Sequence, residues 1–372
     1  MPPAELRAIS QSANDFGFAL WQRVRDTEGN LSISPSSISL ALGMTFAGAR
    51  GQTADEMRRT LRFGRDDDAT HRALGGLTGR WNRTGRPYEM SVANRLFGAQ
   101  GFRFEPSFLT VVRDRYGAPL EPVDFGQSEQ ARRRINSWVE DRTRDRIRDL
   151  LPAGSIDAGT RLVLTNALYF KGRWAAQFDP ADTRTGAFQA PRRAVQVPLM
   201  HRTGDYRHAR VDGVQIIELP YRGDELAMDV ILPERPDGLA ALEARLSPEA
   251  LARWLEAMHE QEVQLTLPRF RISPAASIRL RDPLSAMGMT SAFGAGADFS
   301  GMAPGLWIDD VYHKTFVEVN EEGTEAAAAT AVVMTESAAM HESFAADRPF
   351  LFLIRDVQTG AVIFIGRVAD PS

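Results

Sequence analysis

The sequence of 372 residues contains no cysteine, which excludes disulfide bonds, thiolate metal sites and cysteine nucleophiles. No stretch reaches the roughly 18 uninterrupted apolar residues that a membrane span requires, so we expect a soluble chain with no membrane partner. An excess of positive charge is also missing, because 44 basic residues face 48 acidic ones and the formal charge is −4. Without a basic surface field, we expect no nucleic-acid partner.

Recognisable enzyme motifs are missing as well. The sequence has no G-x-S-x-G nucleophile elbow, no H-E-x-x-H zinc pair, no P-loop and no G-x-G-x-x-G. The pair His259-Glu260 is the nearest approach to a zinc motif, but Val263 stands where the second histidine would have to be. We therefore predict no catalytic residue, no metal site and no cofactor. A Ser/His/Asp triad assembled only in space stays open, since triads are recognised by geometry.

The N-terminus lacks the charged-then-apolar pattern of a secretory leader. Glu5, Arg7 and Asp15 precede any apolar run. Two locations are therefore kept as expectations: the cytoplasm, or the extracellular space after removal of a leader.

The first half of the sequence has apolar residues at helical spacing behind recognisable helix starts. Ser34 before Pro35 is a typical cap, and Thr53 with Glu56 is a capping box that predicts a helix start at Thr53. Besides these two helices, the spacing predicts helices through residues 16–24 and 128–151. In the second half, helices are predicted at 239–246 and, behind a start at Ser247-Pro248, at 248–258.

The second half of the sequence favours strands. The run 162–170 is continuously apolar and predicts the middle of a sheet buried on both faces. Further strands are predicted at residues 214–219, 226–232, 263–267, 316–320, 349–354 and 361–365. Length alone would allow about two domains, but no repeat or linker divides the chain. We therefore predict one α+β domain over residues 1–372.

The segment 323–347 does not fit this pattern, because it holds an alanine run and no sustained apolar period. A connection of about 25 residues without a core-facing pattern is uncommon in a compact domain and is usually functional or disordered. The alternative is a surface helix, since Thr324 could cap it and the residues from Ala326 to Ala329 have high helix propensity.

Taken together, the motifs resemble the serpin family, in the family's order and over nearly the whole chain. The matching stretches are NLSISPSSI at 30–38, GARGQT at 48–53, INSWV at 135–139, LTNALYFKGRW at 164–174, ELPY at 218–221, ADFSG at 297–301, HK at 313–314, VNEEGTEAAAAT at 319–330, DRPFLF at 347–352 and FIGRV at 364–368. The resemblance implies one α+β domain with three β-sheets, eight or nine helices and an exposed reactive-centre loop at about 323–347.

The resemblance also implies a mechanism, in which a serine protease cleaves the loop and is trapped as an acyl-enzyme while the upstream part inserts into the large sheet. The hinge of that insertion matches Gly323, Thr324, Glu325, Ala326, Ala327, Ala328, Ala329 and Thr330. Even-numbered residues from Thr324 would share the buried face of the new strand, and the only charge nearby, Glu325, falls on the other face.

Counting along the loop places the reactive bond between Ser337 and Ala338, with Glu336-Ser337 and Ala338-Ala339 as alternatives. Ser337 suits elastase-like or subtilisin-like proteases, whereas Glu336 suits a glutamate-specific one. No arginine or lysine lies between residues 323 and 347, which argues against trypsin-like targets because their pocket requires a cation.

Two control regions are implied by the resemblance. The shutter, a polar cluster beneath the large sheet, matches Ser34, Ser37, Asn166 and His313. The breach, where insertion begins, matches Trp174, Arg269 and Glu321, with an expected pair between the last two. The expected partners are serine proteases in a covalent complex with a monomeric inhibitor. The alternative is a non-inhibitory serpin that acts as a binding or chaperone module.

Overall fold

The structure, a computed structural model, describes residues 3–83, 85–324 and 342–372. Its helices are α1 (Pro3–Val24), α2 (Pro35–Phe46), α3 (Gly51–Thr60), α4 (Asp67–Trp81), α5 (Pro106–Tyr116), α6 (Ser128–Arg142), α7 (Leu239–Arg245), α8 (Pro248–Ala257) and α9 (Arg281–Ala286). Within these ranges, no helix combines the length and the apolar character needed to cross a bilayer.

The strands are concentrated in the second half of the chain. They are β1 (Leu31–Ile33), β2 (Tyr88–Ala99), β3 (Glu121–Val123), β4 (Leu162–Arg173), β5 (Arg184–Gln189), β6 (Ala194–Val211), β7 (Val214–Pro220), β8 (Leu226–Pro233), β9 (His259–Pro268), β10 (Phe270–Ile272), β11 (Ile278–Arg279), β12 (Tyr312–Thr315), β13 (Val317–Asn320), β14 (Gly323–Thr324), β15 (Glu342–Ala345), β16 (Phe350–Asp356) and β17 (Val362–Val368). Every predicted strand is present, with bounds that differ by a few residues.

Two predicted helix starts are confirmed by their caps. The Ser34 hydroxyl accepts from the Ser37 amide at 3.2 Å, and Pro35 occupies the first turn of α2. The Ser247 hydroxyl accepts from the Ala250 amide at 3.2 Å at the start of α8. In both cases a hydroxyl satisfies an amide that the helix itself leaves without a partner.

The capping box at Thr53 is wrong, because α3 already begins at Gly51. The Thr53 hydroxyl instead accepts from the Asp298 amide at 2.9 Å. The Glu56 carboxylate likewise accepts from the amides of Thr290 and Ser291, at 2.9 and 2.7 Å. Both side chains thus tie α3 to a distant loop rather than to its own first turn.

The predicted helix 128–151 is also wrong in length, because α6 ends at Arg142. Arg144 and Asp145 have φ angles of 52° and 60°, and Asp149 has 48°. These left-handed conformations are incompatible with a continuing right-handed helix. Asn136 then holds the following loop, since its side chain bonds to both the amide and the carbonyl of Leu151 at 2.9 and 3.0 Å.

The strands pair into two networks. The larger has the order β1-β17-β16-β8-β7-β6-β9-β15, with β5 on β6, and the smaller has the order β10-β13-β14-β4-β12-β11, with β2 on β4 and β3 on β2. The 18-residue β6 joins two groups of strands in the larger network. It pairs with β5 and β9 over most of its length, and at its end it pairs with β7, which leads on to β8, β16, β17 and β1. Counting these two groups as separate sheets, together with the smaller network, gives the three sheets of the predicted α+β fold.

Candidate functional site

The smaller network is parted at one end. β4 pairs in parallel with β12 at residues 165–168 and 312–315, so the two strands are in direct contact there. Farther along, β14 lies between β4 and β13 and pairs antiparallel with both. The sheet therefore has a closed part and an open part, and the chain that follows β13 turns back into the open part.

The first two residues of the predicted hinge, Gly323 and Thr324, form β14. Gly323 has a φ of +153°, and a Cβ on it would lie 2.0 Å from the carbonyl oxygen of Gly172, so only glycine fits this position. Thr324 is 1% exposed and lies in a strand, whereas the residues of the alternative surface helix, Ala326 to Ala329, lie outside the described residues.

The remaining hinge residues fall in the part of the chain that the structure does not describe. These are Glu325, Ala326, Ala327, Ala328, Ala329 and Thr330. The residues of the predicted reactive bond, Glu336, Ser337, Ala338 and Ala339, also lie outside the described residues. The structure therefore leaves these assignments as predictions.

Trp174 lies beside the open end of the sheet. Its indole Nε1 donates to the carbonyl of Asn320 at 3.0 Å, and its backbone amide donates to Glu322 at 2.8 Å. The ring stacks on Tyr221, with centroids 4.7 Å apart and planes 16° apart. The Tyr221 hydroxyl bonds in turn to the Thr324 hydroxyl at 2.6 Å. Trp174 and Tyr221 thus hold the turn between β13 and β14 and the hinge strand together.

The expected pair of Arg269 and Glu321 is present. Nε of Arg269 donates to the two carboxylate oxygens of Glu321 at 2.7 and 2.9 Å, and the Thr183 hydroxyl donates to the same carboxylate. Burial raises the pKa of Glu321, but the hydrogen bonds from Arg269 and Thr183 outweigh it and leave the pKa below its ordinary value. The carboxylate is therefore ionised at neutral pH and fixes the end of β13.

The predicted shutter residues come together beneath the closed part of the sheet. Asn166 of β4 donates to the carbonyl and the hydroxyl of Ser37 at 2.7 and 2.8 Å, and its carbonyl oxygen bonds to His313 of β12. Asn166 also donates to Asn94 of β2 at 2.9 Å. Strand register explains the grouping, because Asn94 and His313 are both paired directly with Asn166.

His313 is held in one neutral form. The backbone N–H of Ser34 donates to Nε2 of His313 at 3.0 Å, so Nε2 is an acceptor and the ring proton lies on Nδ1, facing Asn166. Complete burial lowers the pKa of His313 to about 3. With both nitrogens engaged, this histidine has no free position from which to act as a general base.

The loop re-enters the described structure at β15, which pairs in parallel with β9. Arg210 of β6 holds this point, because it donates to the Glu342 carboxylate at 3.2 Å and to the Ser343 carbonyl at 3.0 Å. The 17 residues from 325 to 341 therefore connect a strand inside the smaller network with an edge strand of the larger one.

Sequence reasoning missed three residues of this site: Tyr221, Thr183 and Asn94. Tyr221 ends the ELPY motif at 218–221, so the motif was the available signal. Asn94 and Thr183 carry no local signal, because only strand register and tertiary packing bring them to Asn166 and Glu321. Within the described ranges, no group of three or more metal-ligating side chains accompanies them.

Comparison with known proteins gives a consistent result. The family model described as "Serpin (serine protease inhibitor)" matches residues 11–371. The chain is 40% identical to a leukocyte elastase inhibitor of Xenopus laevis, over 98% of this chain and 99% of that protein. Uncleaved ovalbumin superposes with a TM-score of 0.90 at 31% identity, over 98% of this chain and 100% of ovalbumin. Human thyroxine-binding globulin in complex with thyroxine also superposes with a TM-score of 0.90 at 30% identity, over 99% of this chain and 100% of that protein.

Proposed function

The chain belongs to the serpin family, and from this premise we propose that it is a suicide-type inhibitor of serine proteases. The proposed inhibitor is a monomer that uses no cofactor, because the target protease supplies the chemistry. The protease serine attacks a carbonyl in the segment between β14 and β15 and forms an acyl-enzyme. The upstream part of the loop then inserts into the parted sheet before water releases the enzyme.

The observation that carries this proposal is β14, a two-residue strand that already lies between β4 and β13. A strand that lengthens from this point continues the same two ladders, which is a recognised mode of strand addition. Fifteen inserted residues at about 3.3 Å each span roughly 50 Å. An attached protease would be carried over that distance, and distortion of its active site would stop deacylation.

Side-chain parity supports the same proposal. Thr324 is buried against Tyr221, and side chains alternate between faces in a strand. Residues that share the face of Thr324 in a lengthened strand are Ala326, Ala328, Thr330, Val332 and Met334. All are uncharged, so insertion buries no charge, which would be costly. Glu325 falls on the opposite face.

For the target, we propose elastase-like or subtilisin-like proteases that cleave between Ser337 and Ala338. The name of the Xenopus laevis relative, a leukocyte elastase inhibitor, supports a small-residue preference. The alternatives Glu336-Ser337 and Ala338-Ala339 are kept for the bond. Mass spectrometry of the loop after incubation with pancreatic elastase and with subtilisin identifies the cleaved bond directly.

The shutter and breach residues are proposed to control the insertion. Ser34, Ser37, Asn166 and His313 hold β4 against β12, so their hydrogen bonds must rearrange before the strands separate. Trp174, Arg269 and Glu321 hold the open end, where the new strand begins. The first group therefore opposes opening, and the second keeps the entrance in place.

The test is the formation of an SDS-resistant covalent complex between the intact protein and pancreatic elastase or subtilisin. A complex of the summed mass supports the proposal. Cleaved loop with fully active enzyme, found across a broad panel of serine proteases, contradicts it. That second outcome would favour a non-inhibitory binding module, the role suggested by the similarity to thyroxine-binding globulin.

The parity argument makes a sharper prediction. Ala326→Arg should convert the inhibitor into a substrate while the fold is kept, because the charge must be buried during insertion. Thr324→Arg should do the same, but it should also lower the stability of the uncleaved protein, because Thr324 is already buried there. Glu325→Arg is the matched control, since residue 325 falls on the opposite face of the lengthened strand and already carries a charge. The number of inhibitor molecules consumed per protease inhibited, measured for each variant, should rise in the first two only. Unchanged trapping by either would refute the assignment of the faces.

A further inference from the structure

We propose that Tyr221 is a positioning residue for loop insertion, because its hydroxyl holds Thr324 inside the parted sheet before any protease acts. The inference rests on the proposed function, since it concerns the same insertion. It adds a residue outside the predicted breach and a specific interaction, between Oη of Tyr221 and Oγ1 of Thr324, at 2.6 Å.

The ring of Tyr221 is held on three sides. Trp174 stacks on one face, and Phe170 of β4 meets the ring edge-on with centroids 5.0 Å apart. On the third side, the ring packs directly against Gly172 of β4. Only glycine leaves room for it, because a Cβ at residue 172 would lie 2.8 Å from Cδ1 of Tyr221. A ring fixed in this way can hold its hydroxyl at one point, directly beside β14.

The hinge strand itself is short. β14 is two residues long, and Gly323 contributes no side chain. The Thr324 side chain adds a hydrogen bond to the two backbone ladders that pair β14 with its neighbours. A new strand starts at a cost, because its first residues are ordered before the later contacts form. Because the hinge is already held in the sheet, its first residues are ordered before insertion begins.

The hydrogen bond between Tyr221 and Thr324 limits which residues can replace Thr324 without loss of the contact. Both hydroxyls are buried, so the loss of either leaves the other without a partner. Valine has the shape of threonine without the hydroxyl, and serine keeps the hydroxyl without the methyl group. Loss of a typical buried hydrogen bond of this kind should increase the population in which the hinge strand is open by about 2- to 12-fold.

The first measurement uses the uncleaved protein without protease. Hydrogen–deuterium exchange of a peptide covering residues 319–326 should be about 2- to 12-fold faster in Tyr221→Phe and Thr324→Val than in the wild type. The double variant should exchange no faster than either single variant, because the one interaction is already lost in each of them. Thr324→Ser should restore slow exchange. Tyr206→Phe, which removes another buried tyrosine hydroxyl, bonded to Arg202, is the control and should not change this peptide.

The second measurement follows insertion, which a merely structural role would not change. The stoichiometry of inhibition should rise in Tyr221→Phe and Thr324→Val and stay at the wild-type value in Thr324→Ser and Tyr206→Phe. Unchanged exchange, or faster exchange with unchanged stoichiometry, overturns the inference.

Failure of the proposed function is distinguishable from failure of this inference. If the wild type traps no protease, insertion is followed after cleavage through a fluorophore on Ala329→Cys, which falls on the face opposite Thr324 and is a unique label because the chain has no other cysteine. Slower insertion in Tyr221→Phe then supports the positioning role. An insertion rate equal to that of the wild type contradicts it.

Discussion

At the scale of single residues, His313 links the shutter to pH. Its pKa in the folded chain is about 3, against an ordinary value near 6.5, because the ring is buried and Nε2 accepts from the Ser34 amide. Between these two values the unfolded chain binds the proton and the folded chain does not. The stability that depends on neutral His313 is therefore complete above about pH 6.5 and is lost as the pH falls toward 3.

This predicts a specific difference between two variants. Between pH 7.5 and pH 5, the free energy of unfolding should fall by roughly 2 kcal/mol more in the wild type than in His313→Gln, which cannot titrate. Urea unfolding at both pH values measures it. His259→Gln is the control, because His259 is exposed, and it should keep the wild-type pH dependence. Equal pH dependence in wild type and His313→Gln would show that His313 is not the sensitive group.

Most of the site residues predicted from the sequence differ in one respect from Asn94, which was missed. Ser34, Asn166, His313 and Trp174 stand inside motifs, so the resemblance places them without any structure. Asn94 joins the shutter only through its register opposite Asn166, 72 residues along the chain. Register depends on the whole sheet, which a local pattern does not encode.

At the scale of elements, a second hydrophobic cluster spans β4 and β12. It includes Ile135 and Val139 of α6, Ala167 of β4 and Tyr312 of β12. β4 and β12 are paired directly and would have to separate in the proposed insertion. The apolar contacts of α6 therefore stabilise the closed sheet and would oppose that insertion.

Weakening this cluster should lower stability and speed insertion together. Ile135→Ala should reduce the free energy of unfolding by about 2–5 kcal/mol and increase the rate of insertion, measured with the label at residue 329. Ile231→Ala in β8 is the matched control, because both side chains are completely buried but β8 is not parted. The control should lose similar stability with an unchanged insertion rate. Equal acceleration in both variants would mean that general destabilisation, not the cluster, sets the rate.

Elements were predicted from the sequence where the pattern is local. The continuously apolar run of β4 and the caps of α2 and α8 are read within ten residues, and all three are confirmed. β6 was missed although Val195, Val197 and Leu199 alternate with exposed residues, because most of its later positions are polar. The end of α6 was missed because left-handed residues such as Arg144 have no signature when they are not glycine.

At the scale of the whole molecule, the sequence predicts the family and the fold, but one domain over residues 1–372 stays a prediction. The larger core cluster joins Phe16 of α1 to Phe364 of β17, so the two ends of the chain pack into the same core. Such a core needs contacts between distant parts of the sequence. The resemblance supplies that arrangement, whereas periodicity alone does not.

A strand that completes the parted sheet should stabilise the whole molecule. If about 12 residues insert beyond β14 and each adds about 1 kcal/mol of net hydrogen bonding, a chain of 372 residues should melt about 15 °C higher after loop cleavage than before. Thermal melts followed by circular dichroism, before and after cleavage by subtilisin, measure the difference. Ala326→Arg is the control: its uncleaved form should melt like the wild type, and its cleaved form should gain little, because the charge blocks the strand. A cleaved wild type that melts no higher than the uncleaved protein would mean that the open end of the sheet does not accept the loop.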